Sequence, residues 1–158
     1  MKTREECVGE QLKAQGKTIA CAESCTGGLL TSRLTDVPGS SSYVRGAVVS
    51  YTNEVKEQLV GVRPETIDAY TEISAETARE MAQGIRRLLS TDIGVGITGL
   101  AGPGGMAGKP AGLVYIAVSG SKGTVVKPCQ FQGGRLSVKQ QSADQALQMI
   151  QDYLGGLI

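Results

Sequence analysis

The sequence predicts a three-layer α/β/α fold built on a mixed, mostly parallel sheet with one antiparallel hairpin. Short apolar segments typical of buried strands alternate with segments of helical spacing over most of the chain. Near residue 113 the pattern changes to two consecutive strand-like segments, which predicts the hairpin. With 158 residues the chain has the size of one ordinary domain, so we expect a single domain covering residues 1–158.

The first half of the chain is predicted to alternate helices with strands. Helical spacing places Val8 and Leu12 on one face of the first helix, and Thr52 or Asn53 can cap the helix that carries Lys56. In order, the predicted elements are a helix at 5–15, a strand at 18–21, a helix at about 26–35, a strand at 46–51, and helices at 54–60 and 64–69.

The second half is predicted to contribute a long packing helix, a buried strand, the hairpin and a final helix. Ser74 can cap the long helix, and Pro128 places the second hairpin strand at a sheet edge or a bulge. A glycine-dense loop at 99–112 follows the buried strand. Either this loop is flexible, or its glycines allow the backbone to approach a neighbouring group closely. The predicted ranges are 75–89 for the long helix, 92–98 for the strand, 113–119 and 124–132 for the hairpin, and 135–154 for the final helix.

Charge and hydrophobicity argue against two classes of partner. Sixteen Lys and Arg against fifteen Asp and Glu give a net charge of +1, without the basic excess typical of nucleic-acid-binding proteins. No apolar run approaches the roughly 18 to 20 residues that span a bilayer. The N-terminal segment MKTREECVGE lacks the apolar core of a signal peptide. We therefore expect no nucleic-acid partner, no membrane segment and a cytoplasmic location.

The chain contains no histidine and four cysteines. The lack of histidine excludes Ser-His-Asp and Cys-His catalysis and would leave a zinc site to Cys and carboxylates alone. The cysteines form no C-x-x-C pair, so we expect reduced, mostly buried thiols and no metal site. A catalytic serine would need another base, for which a buried lysine with a lowered pKa is the familiar substitute.

The segment ESCTGG at 23–28 lies between the first predicted strand and a helix. Unpaired amides at such a junction favour an oxyanion or a phosphate, although the segment matches neither GxxxxGK[ST] nor GxGxxG. The alternative is that Ser24 or Thr26 only caps the next helix while the glycines shape the turn. If the turn is catalytic, Ser24 is the candidate nucleophile and Cys25 is its rival.

Further candidate residues follow the later strands. Tyr51 ends the second predicted strand, where it can hold or relay a proton, although a strand-end tyrosine usually packs. Lys56 follows that strand and can return to the same sheet edge as Ser24, although a helical lysine is usually solvated. Thr98 ends the next buried strand, at the edge where open α/β sheets bind ligands. Lys109 and Arg135 are candidate phosphate partners in the two far loops, although either can simply be surface charge.

These segments occur together in a specific order. AESCTGG near residue 22 is followed by PGSS, RGAVVSYTNEVK, VGITGLAGPGG, KPAG and FQGGR. In this order and spacing the chain, from about residue 10 to residue 154, closely resembles the CinA C-terminal domain family, the nicotinamide mononucleotide deamidases. Longer members of the family carry a further N-terminal domain similar to molybdopterin-binding proteins, and we expect no such domain in these 158 residues.

The resemblance implies an amidohydrolase that converts nicotinamide mononucleotide and water to nicotinic acid mononucleotide and ammonia, without a cofactor or metal, and that forms a homo-oligomer. It implies that Ser24 is the nucleophile, that Lys56 and Tyr51 serve as base and proton relay with their order left open, and that Arg135 meets the phosphate. The other residues implied to bind substrate are Glu23, Cys25, Thr26, Gly27, Gly28, Thr98, Gly99 and Gly102.

One part of the chain departs from the family pattern, and two other functions compete. The family loop usually has a longer spacer before K-P-V-G-T than the segment 104–113 provides, so we expect pocket shape and substrate affinity to differ there. The first alternative is a catalytically silent domain that binds a pyridine nucleotide or a protein partner. The second is an amidase or esterase that acts on another small substrate.

Overall fold

A computed structural model, which describes residues 1–106 and 108–158, shows one five-stranded sheet with helices on both faces. The strands are β1 (Ile19–Glu23), β2 (Val44–Val49), β3 (Ile93–Gly99), β4 (Leu113–Gly120) and β5 (Gly123–Gln130). The helices are α1 (Arg4–Gln15), α2 (Leu29–Thr35), α3 (Asn53–Gln58), α4 (Pro64–Tyr70), α5 (Ala75–Leu89) and α6 (Arg135–Leu154), with a short 3-10 helix at Ser40–Ser42.

The sheet combines a parallel part and an antiparallel part in the order β2-β1-β3-β4-β5. Strand β1 pairs in parallel with both β2 and β3, while β4 pairs antiparallel with β3 and with β5. The predicted fold class and hairpin are therefore confirmed. Pro128 lies on the edge strand β5, where a missing backbone donor is tolerated.

The two faces of the sheet are covered by different helices. Helices α1, α2 and α6 pack on one face, where Leu12, Cys21 and Leu147 belong to one apolar cluster. Helix α5 packs on the other face, where Ala20 and Met81 belong to a second cluster. All five residues of β1 are buried because this central strand is covered on both sides.

Helix α5 approaches the sheet closely because β3 carries glycine at the contact. A Cβ atom placed on Gly96 would lie 2.5 Å from the Ala78 carbonyl oxygen, and one placed on Gly94 would lie 2.2 Å from the Ala82 oxygen. Any side chain at these positions would push the helix away from the sheet. The small residues in "DIGVGIT" therefore set the distance between α5 and β3.

Several predicted boundaries shift where the chain enters the candidate site. Strand β1 continues to Glu23, two residues beyond the predicted end, and α2 begins at Leu29 instead of 26. The N-cap of α2 is Gly28, without a side-chain cap bond, so the alternative that Ser24 or Thr26 caps this helix is wrong. Strand β2 ends at Val49, which leaves Tyr51 in the following connection. The predicted loop 99–112 includes Ala107, which lies outside the described residues.

None of the helices formed by the described residues is both long enough and apolar enough to span a membrane.

Candidate active site

A cleft of about 420 Å³ lies at the carboxyl edge of the parallel strands. Ser24 follows β1, Tyr51 follows β2 and Gly99 ends β3, so three neighbouring strands deliver residues to one place. From outside the sheet, α3, the α4–α5 connection, the glycine-rich loop and the first turn of α6 complete the walls. The lining side chains that can do chemistry are Ser24, Cys25, Tyr51, Lys56, Glu72 and Arg135.

Ser24 and Lys56 form a buried pair. Their side chains are hydrogen-bonded with 3.1 Å between Lys56 Nζ and Ser24 Oγ, although the residues are 32 positions apart in sequence. Lys56 is 1% exposed and Ser24 is 6% exposed. Helix α3 makes this contact possible because Thr52 caps it, its Oγ1 accepting from the Val55 amide, and so fixes the turn that carries Lys56.

The surroundings of the Lys56 amine favour its neutral form. Burial lowers the pKa of Lys56 below its ordinary value of 10.5, while the negative charge of Glu72 opposes that shift. Besides Ser24 Oγ, the amine lies 2.8 Å from the Ser50 carbonyl oxygen and 3.5 Å from that of Tyr51. A neutral amine can donate to the two carbonyls and accept the Ser24 proton with its lone pair. This geometry suits a general base.

The turn after Ser24 presents backbone amides to the site. The Ser24 amide donates to the Ile97 carbonyl in β3, and the Gly27 amide donates back to the Ser24 carbonyl. Within the described part of the chain, the amides of Cys25 and Thr26 donate to no protein acceptor. Gly27 and Gly28 both have positive φ angles, of 62° and 103°, which shape this turn. The Cys25 and Thr26 amides are therefore the candidate donors to an oxyanion.

The Glu23 carboxylate is occupied by the helix that follows the turn. Glu23 is fully buried, and its two oxygens accept from the Thr26 hydroxyl (2.6 Å), the Leu30 amide (3.0 Å), and the amide and hydroxyl of Thr31 (2.8 and 2.6 Å). The amides of Leu30 and Thr31 belong to the first turn of α2, which otherwise lacks a capping side chain. Glu23 thus fixes the turn to α2.

Cys25 lines the cleft beside Ser24 but is a poor thiolate. Burial raises the pKa of the Cys25 thiol to about 12, and the charge of Lys56 opposes this only in part. Because the thiolate is the nucleophilic form of cysteine, this environment favours Ser24 over its rival.

Tyr51 and Arg135 meet at the mouth of the cleft. The Arg135 guanidinium donates to the Tyr51 hydroxyl at 3.1 Å and to the Gly102 carbonyl at 2.5 Å. Tyr51 is 59% exposed, so its hydroxyl lies toward solvent, and in the described structure it bonds to Arg135 and not to Ser24. Arg135 stands at the start of α6, where the helix dipole also favours negative charge.

Thr98 and Lys109 hold neighbouring backbone in place. The buried Thr98 hydroxyl donates to the Glu72 carbonyl oxygen at 2.6 Å. The Lys109 ammonium donates to the Thr71 hydroxyl at 2.9 Å and to the Ile73 carbonyl oxygen. Both contacts connect the sheet edge and the glycine-rich loop to the α4–α5 connection, so Lys109 serves this connection instead of lining the cleft.

The predicted site residues therefore fall into two groups. Those that line the cleft are Ser24, Cys25, Tyr51, Lys56, Gly99, Gly102 and Arg135. Those that lie beside it in the turn or under the sheet edge are Glu23, Thr26, Gly27, Gly28 and Thr98. Substrate contact by either group stays a prediction.

Two charged residues near the site were missed by the sequence analysis. Glu72 lines the cleft from the α4–α5 connection, and no periodicity or motif marks it. Lys139 lies one helical turn after Arg135, and a Cβ atom placed on Gly27 would be 3.5 Å from its Nζ. The four-residue spacing from Arg135 could have indicated Lys139 because residues four apart share a helix face.

A larger groove of about 870 Å³ lies elsewhere, at the C-terminal end of α5. Two of its hydroxyls already bond within the protein: Thr124 accepts from the Gln83 side-chain amide and donates to the Ser119 hydroxyl. In the described residues this groove brings together no nucleophile and base, so the smaller cleft is the candidate active site. The described residues also contain no group of three His, Cys, Asp or Glu side chains placed to hold a metal ion.

Comparison with known proteins identifies close relatives. The family model of the CinA C-terminal domain matches residues 1–154. The chain is 46% identical over 153 residues to the "CinA-like protein" of Acidobacterium capsulatum, a match that covers 96% of this chain and 37% of that protein. The curated relatives it matches are thus much longer, and the chain spans little more than a third of this one's length.

Two solved structures match this chain over nearly their full length. A CinA superfamily protein from Klebsiella pneumoniae 700603 superimposes with a TM-score of 0.93 at 30% identity, covering 98% of this chain and 99% of that chain. The competence/damage inducible protein CihA from Agrobacterium tumefaciens gives a TM-score of 0.90 at 33% identity, with 98% and 99% covered. These similarities bear on the fold and the family, and the names of the two proteins state no reaction.

Proposed function

Because the chain belongs to the CinA C-terminal domain family, we propose that it is an amidohydrolase that converts nicotinamide mononucleotide and water to nicotinic acid mononucleotide and ammonia. The observation that carries this proposal is the buried contact of 3.1 Å between Lys56 Nζ and Ser24 Oγ, in a cleft that also contains Arg135. A lysine buried against a serine is costly to the fold and is readily explained by catalysis.

In the first half of the proposed reaction, Ser24 displaces ammonia. Neutral Lys56 takes the Ser24 proton as Oγ attacks the carboxamide carbon, and the amides of Cys25 and Thr26 stabilise the oxyanion. The Lys56 ammonium then returns the proton to the leaving nitrogen, so that ammonia departs and an ester remains on Ser24. The positive pyridinium ring withdraws electrons from the carbonyl and assists the attack.

In the second half, water hydrolyses the ester. Lys56 accepts a proton from water as its oxygen attacks the ester carbonyl, and the proton passes to Ser24 Oγ when the ester bond breaks. Nicotinic acid mononucleotide leaves, and Ser24 and neutral Lys56 are restored. We assign the role of immediate base to Lys56 because the Tyr51 hydroxyl bonds to Arg135 at the mouth of the cleft.

The phosphate of the substrate is assigned to the mouth of the cleft. Arg135 offers a planar pair of donors and stands at a helix N-terminus, and Tyr51 adds a hydroxyl beside it. Lys139 adds a second positive charge one turn further along α6. A catalytically silent nucleotide-binding domain would also use such a mouth, but it would have no need for a buried lysine against Ser24.

The location and assembly of the protein belong to the same proposal. All four cysteines are free, which suits a reducing compartment, and we place the reaction in the cytoplasm. The homo-oligomer implied by the family resemblance stays a prediction.

The substrate assignment is tested by measuring ammonia and nicotinic acid mononucleotide from nicotinamide mononucleotide, beside nicotinamide riboside as the analogue without phosphate. We expect the nucleotide to be the much better substrate. Arg135→Ala should raise KM for the nucleotide roughly tenfold to a hundredfold, because a charge-assisted contact to phosphate is lost, while leaving the riboside nearly unaffected.

A matched control is Arg45→Ala, which removes an exposed arginine on β2 outside the cleft. It should leave both substrates unaffected. Absence of ammonia from folded wild-type protein would contradict the proposed reaction, and equal effects of Arg135→Ala on both substrates would contradict the phosphate assignment.

A further inference from the structure

Glu72 introduces a negative charge into a cleft whose mouth is positive. Glu72 lines the same cavity as Ser24, Lys56 and Arg135. In the described part of the structure its carboxylate forms no ion pair and accepts no hydrogen bond, and the side chain is half-buried. A carboxylate without a protein partner beside a ligand cavity is available to a ligand group.

The backbone that carries Glu72 is held from two sides. The Thr98 hydroxyl binds the Glu72 carbonyl oxygen at 2.6 Å, and Lys109 binds Thr71 and the Ile73 carbonyl oxygen on either side. Thr71 also has a positive φ of 69°, a conformation uncommon for a residue other than glycine. These contacts, from the sheet edge and from the glycine-rich loop, fix the backbone position of Glu72.

The charges of the cleft are arranged for a ligand of mixed sign. Arg135 and the N-terminus of α6 favour an anion at the mouth. Glu72 acts on Lys56 at the Ser24 end, where it would repel an anion and attract a cation. A phosphate alone would therefore use only part of the cleft, whereas a nucleotide with a cationic base would use both parts.

We propose that Glu72 is the counter-ion of the cationic ring of the substrate, so that the cleft selects nucleoside monophosphates whose base carries a positive charge. This inference rests on the proposed function, which supplies the pyridinium ring and places its carboxamide at Ser24. It adds a residue that determines specificity and that lies outside the predicted catalytic and substrate-binding set.

The same contact links binding to activation of the base. In the free protein the Glu72 carboxylate favours the ammonium form of Lys56 and so opposes the lowering of its pKa by burial. A cationic ring beside Glu72 offsets that negative charge. Binding of the correct substrate therefore shifts Lys56 toward the neutral amine that accepts the Ser24 proton.

The test compares two ligands that differ in ring charge. Nicotinamide mononucleotide has a cationic ring, and its reduced dihydropyridine form has a neutral ring with the same ribose, phosphate and carboxamide. Their dissociation constants are measured by calorimetry on Ser24→Ala protein, in which we expect hydrolysis to be at least about a thousandfold slower. We expect the cationic form to bind about tenfold more tightly, and Glu72→Gln in the same background to reduce that ratio to about twofold or less.

The control is Glu76→Gln, which removes a carboxylate four residues later in the first turn of α5, outside the cleft lining. It should keep the full ratio. Glu72→Ala serves as a second variant if Glu72→Gln folds poorly. In the otherwise wild-type protein, Glu72→Gln should also move the acid limb of kcat/KM to lower pH, because Lys56 loses the charge that favours its ammonium form.

Three outcomes would count against the inference. An unchanged ligand ratio in both Glu72 variants would overturn it while leaving the proposed function in place. If the ratio of the two dissociation constants falls equally in Glu76→Gln, the effect comes from the overall charge of the protein and not from Glu72. Failure of Ser24→Ala to bind either ligand, together with absence of ammonia from wild-type protein, would overturn the proposed function and this inference with it.

Discussion

At the scale of single residues, the site depends on one buried amine. The Lys56 amine contacts two backbone carbonyl oxygens, those of Ser50 and Tyr51, and its third polar contact is Ser24 Oγ. Burial lowers the pKa of Lys56 and raises that of Cys25 to about 12. The same exclusion of water therefore favours the neutral amine beside Ser24, as the proposed role of base requires, and disfavours the thiolate of the neighbouring cysteine.

The protonation state of Lys56 predicts the pH dependence of the reaction. Below the pKa of Lys56 the ammonium form has no lone pair for the Ser24 proton, so kcat/KM should rise with pH as that proton is lost. Because burial lowers this pKa, the rise should be centred below 10.5. The measurement is kcat/KM for nicotinamide mononucleotide across pH with wild-type protein.

Lys56→Arg tests the same assignment by replacing the base with a group that stays protonated. We expect a loss of about 10²- to 10⁴-fold in kcat/KM at neutral pH. Lys122→Arg, at an exposed position between β4 and β5, is the control and should retain wild-type activity. A Lys56→Arg variant within a few-fold of wild type would show that Lys56 is not the base.

At the scale of elements, the site depends on how α2 is attached to β1. Helix α2 has seven residues and a glycine N-cap, which makes it a weak helix by itself. Glu23, the last residue of β1, supplies the missing cap through four hydrogen bonds to Thr26, Leu30 and Thr31. The turn that carries Ser24 is thereby held at both ends.

Glu23→Gln should destabilise the protein. One carboxylate oxygen of Glu23 would become an NH₂ group, which cannot accept the hydrogen bonds that this oxygen now receives. We expect a loss of about 2 kcal/mol in the free energy of unfolding, measured by urea denaturation. Glu54→Gln, which changes an exposed carboxylate in α3, should change it by less than about 0.5 kcal/mol. If Glu23→Gln keeps full stability and instead raises KM, then Glu23 contacts the substrate as the family resemblance implies.

At the scale of the whole molecule, the order and type of the main elements could be predicted from the sequence, since strand and helix spacing alternate regularly. The strand-end position of Ser24 followed from the same pattern. The contact between Ser24 and Lys56 could not be derived from spacing, because it joins two elements 32 residues apart and depends on the direction in which α3 returns to the sheet. Chain order allowed Lys56 to return to the sheet edge of Ser24, and the family resemblance supplied the pairing of the two residues.

Other features of the site depend on tertiary contacts that no local pattern records. Glu72 belongs to a connection without periodicity, where Thr98 binds the Glu72 carbonyl oxygen and Lys109 binds the neighbouring residues Thr71 and Ile73. Lys109 itself was expected to be a phosphate candidate, and its contacts with the α4–α5 connection became visible only in the folded chain. The end of β1 and the start of α2 were misplaced because the Glu23 cap acts across seven and eight residues.

The central claim is that Ser24, activated by Lys56, hydrolyses the amide without a metal. The most direct test is ammonia release from nicotinamide mononucleotide, in the presence of a chelator, by wild-type, Ser24→Ala and Cys25→Ala protein. We predict chelator-resistant turnover that falls at least about a thousandfold in Ser24→Ala and stays within about tenfold of wild type in Cys25→Ala. Turnover that survives in Ser24→Ala and disappears in Cys25→Ala, or that disappears with the chelator, would contradict the account.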